Sequence, residues 1–239
     1  MIGLSNAPTR PTLGTSTLDA PVRQMFDDIA TGYDALNRLI TFNLDPMWDA
    51  RVVKLTPAGG RTLDLGCGTG DLLERLLRRK STALAAGVDL SRGMLKVARS
   101  RLGPRALLVR GDGERLPFRD GTFDAVVSAF VMRNVGDRAR VYAEVARVLK
   151  PGGAFVQLEL ARPRNVAIRK LYEFYFERVM SALAGRVFGE RAPYQYLAET
   201  LARWPHQDAI SKEIQAAGFS SVEEHELTLG IVCAHRAVK

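Results

Sequence analysis

Stretches of continuous apolar residues alternate with amphipathic repeats along the middle of the chain. The apolar stretches predict strands near residues 61–65, 83–89, 106–111, 123–129 and 154–160. Apolar positions at three- and four-residue steps predict helices near residues 71–79, 91–101 and 137–149. Continuous apolar strands separated by helices indicate a parallel sheet covered on both faces. The pattern therefore predicts a doubly wound α/β fold.

Both ends of the chain depart from this alternation. Residues 22–40 carry one continuous helical stripe of apolar positions, and a second helix is predicted to begin at Asp45-Pro46, a capping residue followed by proline. Near the other end, two alternating segments at 222–227 and 231–236 are split by a very short link. Strands joined so closely must pair antiparallel. We therefore expect a hairpin to end an otherwise parallel sheet.

The domain organisation follows from length and composition. A chain of 239 residues with 46% hydrophobic content can bury one sizeable core. Residues 1–18 lack periodicity and are predicted to be a disordered lead-in, which leaves 19–239 as a single domain. Within it, 19–57 are expected to form a helical cover, and 161–206 a helical insertion that acts as a lid over the substrate.

Cysteine, histidine and charge narrow the classes of function. Two cysteines and three scattered histidines argue against a disulfide framework or a metal centre, so we expect no metal. No window of 18 apolar residues exists, and we expect a soluble cytoplasmic protein. The formal net charge is +8, and residues 161–206 hold eight basic against four acidic side chains. That excess favours anionic partners.

The segment between residues 62 and 71 carries the strongest chemical signal. Asp64 lies near the end of a short apolar strand, and three glycines then alternate with other residues before a helix begins: Gly66, Gly68 and Gly70. Glycine lets the backbone approach a bound nucleotide-like ligand closely. Asp89 ends the next strand about 20 residues later, where such sheets place a carboxylate on ribose hydroxyls.

A glycine turn alone does not separate dehydrogenases, flavoproteins and methyltransferases. A dinucleotide dehydrogenase of the doubly wound kind continues with parallel units, so the predicted terminal hairpin argues against a nicotinamide-dependent oxidoreductase.

Several segments together resemble the class I S-adenosylmethionine-dependent methyltransferases, which implies a Rossmann-like sheet with this cofactor. They are the glycine turn, Asp89, the GDGE segment at 111–114 and the RVLKPGG segment at 147–153. A narrower resemblance covers nearly everything from residue 22 onward. VRQMFDDIATGYDALN, AFVMRNV and PYQYLAETLARWP are similar to segments of the ubiquinone/menaquinone biosynthesis C-methyltransferase family.

The family resemblance implies methylation of a prenylated quinol ring, with demethylmenaquinol as the first candidate and the benzoquinol of the ubiquinone pathway as the second. It also implies a cofactor site. Thr69 matches the family's cofactor-binding threonine and Asp89 its ribose ligand, and the adenine would lie beside Asp112 and Gly113. Asp64 and the turn from Gly66 to Gly70 would face the amino-acid end of the cofactor.

Arg133 and Asn134 are the predicted catalytic residues. A guanidinium near the ring oxygen would favour the phenolate that makes the neighbouring carbon nucleophilic, and Asn134 would position the same oxygen. The alternative is that both residues cap the following loop and helix. Tyr33 and His206 are weaker candidates.

Three positions depart from the family pattern. The family usually has glycine at Val131, a small polar residue such as serine at Ala129, and often arginine at Asp49. The change at Ala129 removes a side-chain contact to the cofactor, and Val131 is expected to narrow the pocket beside Arg133.

The insertion holds eight of the chain's 18 aromatic residues. With the helix at 22–40 it could form an apolar cleft for a prenyl tail, or its rings could pack helices onto the sheet or across a homodimer. Its basic residues suit brief contact with an anionic membrane surface. A second hypothesis assigns them to RNA or DNA, as in a nucleic-acid methyltransferase. The family's prenylated quinol is the preferred partner, and nucleic acid is not expected.

Overall fold

Fifteen helices and strands make up the described part of the computed structural model, which comprises residues 20–79, 82–175, 200–201 and 204–239. The helices are α1 (Ala20–Ile29), α2 (Tyr33–Ile40), α3 (Asp45–Leu55), α4 (Asp71–Arg78), α5 (Arg92–Leu102), α6 (Arg138–Val148), α7 (Val166–Phe174) and α8 (Gln207–Ala216). The strands are β1 (Gly60–Leu65), β2 (Thr82–Asp89), β3 (Ala106–Arg110), β4 (Phe123–Ala129), β5 (Leu149–Leu160), β6 (Ser221–Leu227) and β7 (Val232–Val238).

The strands form one sheet in the order β3-β2-β1-β4-β5-β7-β6. The first five pair in parallel, whereas β7 runs antiparallel to both of its neighbours. A short 3-10 turn at Thr228–Gly230 joins β6 to β7. The predicted doubly wound sheet and its terminal hairpin are therefore confirmed.

Helices cover both faces of the sheet because successive strand residues point to opposite sides. On one face, α6 and α8 pack against Leu63, Val126 and Phe155. On the other, α3, α4 and the end of α5 pack against Val127 and Val156. The core thus has two apolar layers, and the carboxyl ends of β1, β2 and β4 meet at one edge.

The amino-terminal region differs from the prediction of one helix over residues 22–40. The structure has two helices, separated by Ala30, Thr31 and Gly32. Threonine and glycine have low helix propensity, whereas the apolar stripe continues through both helices and so hides the break. Asp45 is the first residue of α3 rather than its cap, and its carboxylate accepts a hydrogen bond from the Thr41 hydroxyl.

Strand β5 begins at Leu149, five residues before the predicted start. Leu149 pairs with Phe123, and the register shifts before Ala125 meets Ala154. The predicted turn at 150–153 is thus an irregular part of the strand, with Gly152 in the left-handed region at φ 75°.

The predicted insertion and lead-in are covered only in part. Helix α7 belongs to the insertion, while residues 1–19, 80–81, 176–199 and 202–203 lie outside the described residues. Four of the insertion's aromatic residues therefore cannot be placed: Phe176, Phe188, Tyr194 and Tyr196. None of the helices in the described ranges has the length and apolar character needed to cross a bilayer.

Candidate functional site

The glycine turn follows β1 directly and bends the chain around the sheet edge. Gly66 has φ 70°, and a Cβ placed there would lie 2.4 Å from a methyl carbon of Val131. Gly70 has φ 81°, and its Cβ would lie 2.9 Å from Leu102 Cδ1. Side chains are excluded at both positions by neighbouring residues and by the backbone conformation.

Asp89 lies at the end of β2, opposite the turn. One carboxylate oxygen accepts a hydrogen bond of 2.9 Å from the backbone N–H of Gly68, and the other accepts one of 2.8 Å from Ser91. Burial raises the pKa of Asp89, although these backbone hydrogen bonds lower it. Each oxygen retains acceptor capacity, so this carboxylate can bind a pair of hydroxyl groups.

The first cavity lies over this edge and encloses about 800 Å³ including its open mouth. Five predicted cofactor residues line it: Gly66, Gly68, Asp89, Asp112 and Gly113. One Asp112 oxygen accepts a hydrogen bond of 3.0 Å from the backbone N–H of Glu114, which fixes the carboxylate at the cavity. The first cavity can therefore hold a nucleoside between two aspartates.

Helix α1 is attached to this edge through Asp27. Its carboxylate accepts hydrogen bonds from the Ser91 hydroxyl and from the Gly93 backbone N–H, at the start of α5. A Cβ at Gly93 would lie 2.6 Å from the Asp27 carbonyl oxygen, so α1 approaches α5 closely. Arg23 and Phe26 of α1 line the first cavity.

Helix α2 is attached to the glycine turn through Asp34. The Thr69 hydroxyl donates a hydrogen bond of 2.6 Å to Asp34, and Arg101 of α5 pairs with the same carboxylate. The Thr69 side chain thus links the turn to α2. Asp27 and Asp34 both lie in the motif that carries the resemblance, but their roles could not be predicted from the sequence. Their partners lie more than 30 residues away, so no local pattern indicates them.

The third cavity adjoins the glycine turn and is acidic. Its lining includes five carboxylates: Asp34, Asp45, Asp49, Asp64 and Asp71. Asp64 is 2% exposed. Burial raises the pKa of Asp64 well above its usual value, and the charges of Asp49 and Asp89 raise it further. A buried carboxylate in such surroundings favours a cationic ligand.

The second cavity is larger and mostly apolar, at about 1,420 Å³ including its mouth. Helix α2, the start of α3, α7 and the turn before β7 all contribute to its lining, including Ile40, Trp48, Leu171 and Ile231. Among the described residues of its lining, the charged ones are Asp45 and Arg133. This cavity suits an apolar ligand with a polar group near Arg133.

Arg133 is held by Glu159, which the sequence analysis did not identify. The guanidinium donates a 2.9 Å hydrogen bond to Glu159 Oε2, and the backbone N–H of Arg133 lies 3.4 Å from Oε1. Glu159 is 1% exposed; burial raises its pKa and the charge of Arg133 opposes the rise. The Arg133 Nε is buried without a hydrogen-bond partner among the described residues, and the side chain as a whole is 12% exposed where it lines the second cavity.

Tyr33 and Phe130 lie where the three cavities meet, because both line all of them. Phe130 follows β4 and has φ 59°, which is uncommon for a bulky residue and occurs mostly at functional sites. Burial raises the pKa of Tyr33, although a hydrogen bond with Asn37 and the charge of Arg133 lower it. Tyr33 therefore remains a neutral phenol at physiological pH.

Some predicted residues lie apart from one another. Asn134 lines the first cavity and donates a 3.3 Å hydrogen bond to the Phe130 carbonyl, whereas Arg133 lines the second. Gly70 lines none of the three cavities and serves helix packing. His206 precedes α8 with its ring 3.3 Å from Asp208.

The departures from the family pattern also lie at these cavities. Ala129 lines the first and third cavities, where a serine would add a hydroxyl. Val131 lines the first cavity against Gly66 and is absent from the described lining of the second. It narrows the first cavity rather than the space around Arg133.

The comparisons with known sequences agree with this geometry. The sequence model of the ubiE/COQ5 methyltransferase family matches residues 14–239. A demethylmenaquinone methyltransferase of Thermus thermophilus is 42% identical over 216 residues, covering 88% of this chain and 98% of that protein. The ubiquinone/menaquinone biosynthesis C-methyltransferase UbiE of Geobacter sulfurreducens is 38% identical over 226 residues, covering 91% and 88%.

Solved structures share the fold at low sequence identity. A Thermotoga maritima S-adenosylmethionine-dependent methyltransferase, a possible histamine N-methyltransferase, superposes with TM-score 0.64 at 22% identity, covering 90% of this chain and 98% of that one. An Aquifex aeolicus enzyme of the same general kind gives 0.62 at 16% identity, covering 89% and 97%. These structures support the architecture alone.

Proposed function

Because the chain belongs to the ubiE/COQ5 methyltransferase family, we propose that it methylates a ring carbon of a prenylated quinol with S-adenosylmethionine as donor. Demethylmenaquinol is the first candidate substrate, and the benzoquinol of the ubiquinone pathway is the second. One observation carries the proposal: a cavity with Asp89 and Asp112 in its lining meets a large apolar cavity, whose described lining holds one arginine, at Tyr33 and Phe130.

The described residues fit the cofactor. Asp89 would accept hydrogen bonds from the ribose hydroxyls, and Asp112 would accept one from the adenine amino group. Asp64, buried in the third cavity, would bind the α-ammonium group or a water next to it. Thr69 would act indirectly, since its hydroxyl already donates to Asp34.

The cofactor supplies a methyl group already activated on a sulfonium. The protein's main tasks are therefore to align the acceptor ring and to stabilise its deprotonated form. Well-oriented approach of two reactants can supply about 7–11 kcal/mol. The acceptor ring must lose its hydroxyl proton to become strongly nucleophilic, and a free phenol has a pKa near 10. Arg133, fixed by Glu159 and with its Nε unpaired, would stabilise the phenolate oxygen electrostatically.

The second cavity would take the ring and the first part of the tail. Each buried methylene contributes about 0.8 kcal/mol, so a partly enclosed isoprenoid chain supplies considerable affinity. Helix α7 provides Ile168, Leu171 and Tyr172 to this cavity, and Tyr175 directly after the helix also lines it. This supports the proposal that the insertion at 161–206 covers the substrate.

The proposed substrate is a membrane lipid, which bears on where the enzyme acts. We propose that it acts from the cytoplasm at the inner membrane face, because a prenylated quinol resides in the bilayer. An apolar cavity lined by a single described arginine does not suit a nucleic acid, whose binding requires several phosphate contacts. Association into a homodimer through apolar residues is a separate proposal.

A methyl-transfer assay tests the function. Purified protein is incubated with S-adenosylmethionine and, in separate reactions, reduced demethylmenaquinol with a short tail, the demethylated benzoquinol and total RNA. Mass spectrometry should show one added methyl group on a quinol ring carbon. Methylated RNA with unchanged quinols would contradict the proposal.

A further inference from the structure

The exposed apolar side chains are concentrated on one part of the surface. Among the described residues, every large apolar side chain that is at least half exposed lies on one of three segments. They are α2 with the start of α3, helix α7, and the turn between β6 and β7. Helices α4, α5, α6 and α8 carry none. The same three segments line the second cavity.

Three of these side chains form the mouth of the second cavity. Phe42, Leu171 and Leu229 line the cavity and are also 67%, 69% and 74% exposed. The ring of Phe42 lies 5.5 Å from that of Tyr175, which connects the two sides of the opening. Leu39, Met47, Val166 and Phe174 are exposed on the same segments without lining the cavity. We call these seven residues the apolar rim.

The backbone holds part of the rim in an unfavourable conformation. Phe42 and Leu229 have φ 51° and 58°, in the left-handed region that favours glycine and asparagine. Neither bulky side chain recovers this cost through burial in the protein. Both residues lie in tight connections, Phe42 just after α2 and Leu229 between β6 and β7, and these turns hold the two side chains at the surface.

Basic residues stand next to the rim in the sequence. Arg38 precedes Leu39 on α2, and Arg169 and Lys170 precede Leu171 on α7, whereas the acidic Glu173 precedes Phe174. Arg38 and Lys170 are exposed, and Arg169 is half-buried. Apolar side chains flanked by basic ones suit the headgroup region of an anionic bilayer.

We propose that the apolar rim inserts into the surface of an anionic membrane, so that the second cavity opens directly into the lipid. The inference rests on the proposed function, in which the substrate is a bilayer lipid. A second copy of the chain seated on the rim would close the mouth through which that lipid must pass. A bilayer in contact with the rim leaves the mouth of the second cavity open to the lipid substrate.

Vesicle binding tests the rim. Binding of the whole protein is measured by co-sedimentation with vesicles of phosphatidylcholine and phosphatidylglycerol, without quinol or cofactor. The triple variant Leu39→Gln/Met47→Gln/Phe174→Gln removes three rim side chains outside the cavity lining. We expect its partitioning to fall by about tenfold or more, with methylation of a short-tailed, water-soluble quinol unchanged.

A matched lysine pair separates the rim from general charge. Lys170→Gln on α7 should weaken binding to phosphatidylglycerol vesicles by about fivefold and leave binding to pure phosphatidylcholine unchanged. Lys96→Gln makes the same charge change on α5, which contributes no described residue to the second cavity, and should have no effect.

Several outcomes would overturn the proposal. One is that the wild-type protein does not co-sediment with the vesicles. Another is that the triple variant partitions onto them to the same extent as the wild type. Ultracentrifugation showing a wild-type dimer that the triple variant dissociates, without vesicle binding, would make the rim an interface between copies. A lower melting temperature of the triple variant, with no vesicle binding by the wild type, would indicate that the rim side chains pack within the folded chain. Because vesicle binding is measured without substrate, failure of the methyl-transfer assay would be a separate result.

Discussion

In the proposed mechanism, the chemistry depends most directly on Arg133. It lines the second cavity, while its guanidinium is fixed by a buried carboxylate and its Nε lacks a partner among the described residues. Arg133→Ala should lower kcat by about 10² to 10³, the usual cost of losing one preorganised donor at a developing charge. Affinity for S-adenosylhomocysteine, measured by calorimetry, should stay unchanged.

Glu159→Gln tests the other member of the Arg133–Glu159 ion pair. The amide keeps a hydrogen-bond acceptor for Arg133 but removes the negative charge, so the guanidinium should stabilise the phenolate more strongly. We expect the pH profile of kcat to move to lower pH. Equal losses of turnover and cofactor affinity in Arg133→Ala would instead indicate a structural role.

Asp49 gives a prediction about pH and stability. Burial raises the pKa of Asp49 to about 7, although Arg75 lowers it; the usual value is 3.8. At pH values between these two pKa values, the folded chain therefore binds more protons than the unfolded chain. The ionisation of Asp49 thus lowers the stability of the fold as the pH rises. Asp49→Asn should increase the free energy of unfolding by up to about 4 kcal/mol at pH 8.

The difference in free energy of unfolding between Asp49→Asn and the wild type should decrease as the pH falls from 7 towards 4, because the wild-type carboxyl becomes protonated in the folded state. Urea unfolding of the cofactor-free protein over this pH range measures the difference. Asp28→Asn, which changes an exposed carboxylate bonded to Gln24, is the control and should show little change. A difference that does not vary with pH would contradict the assignment.

At the scale of elements, the two amino-terminal helices act through their attachments to the sheet edge. Asp27 joins α1 to the start of α5, and Asp34 joins α2 to the glycine turn. Asp27→Ala should weaken binding of S-adenosylhomocysteine about tenfold, since α1 carries part of the first cavity's lining. Asp28→Ala, one residue away on the exposed side, should bind normally in the same titration. Equal affinities for the two variants would mean that α1 holds its place without Asp27.

The sequence predicted the sheet well because each strand carries its own apolar signal. It also placed Asp89 correctly at the edge, since strand length and glycine spacing are local features. The break at Thr31 and Gly32 escaped notice because the apolar stripe runs through both helices. The partners of Asp27, Asp34 and Arg133 depend on contacts between distant segments, so no pattern in one segment could reveal them.

At the scale of the whole molecule, cofactor binding should stabilise the fold because its cavity joins the sheet edge to α1 and α2. S-adenosylhomocysteine at about 100 times its Kd should add about 2.7 kcal/mol, which raises the melting temperature by roughly 5–10 °C. Asp89→Ala should reduce this rise at the same ligand concentration. Scanning calorimetry measures both, and a comparable rise with NAD in place of S-adenosylhomocysteine would contradict the cofactor assignment.

The meeting point of the cavities has a consequence for how such an enzyme can diversify. Among the described lining residues, the first and second cavities share only Tyr33 and Phe130. Helix α7 contributes no described residue to the first or third cavity, so substitutions on α7 can reshape the second cavity while cofactor affinity is kept. Evolution can therefore change the acceptor specificity without altering the cofactor site. A substitution at Tyr33 or Phe130, by contrast, must remain compatible with both ligands.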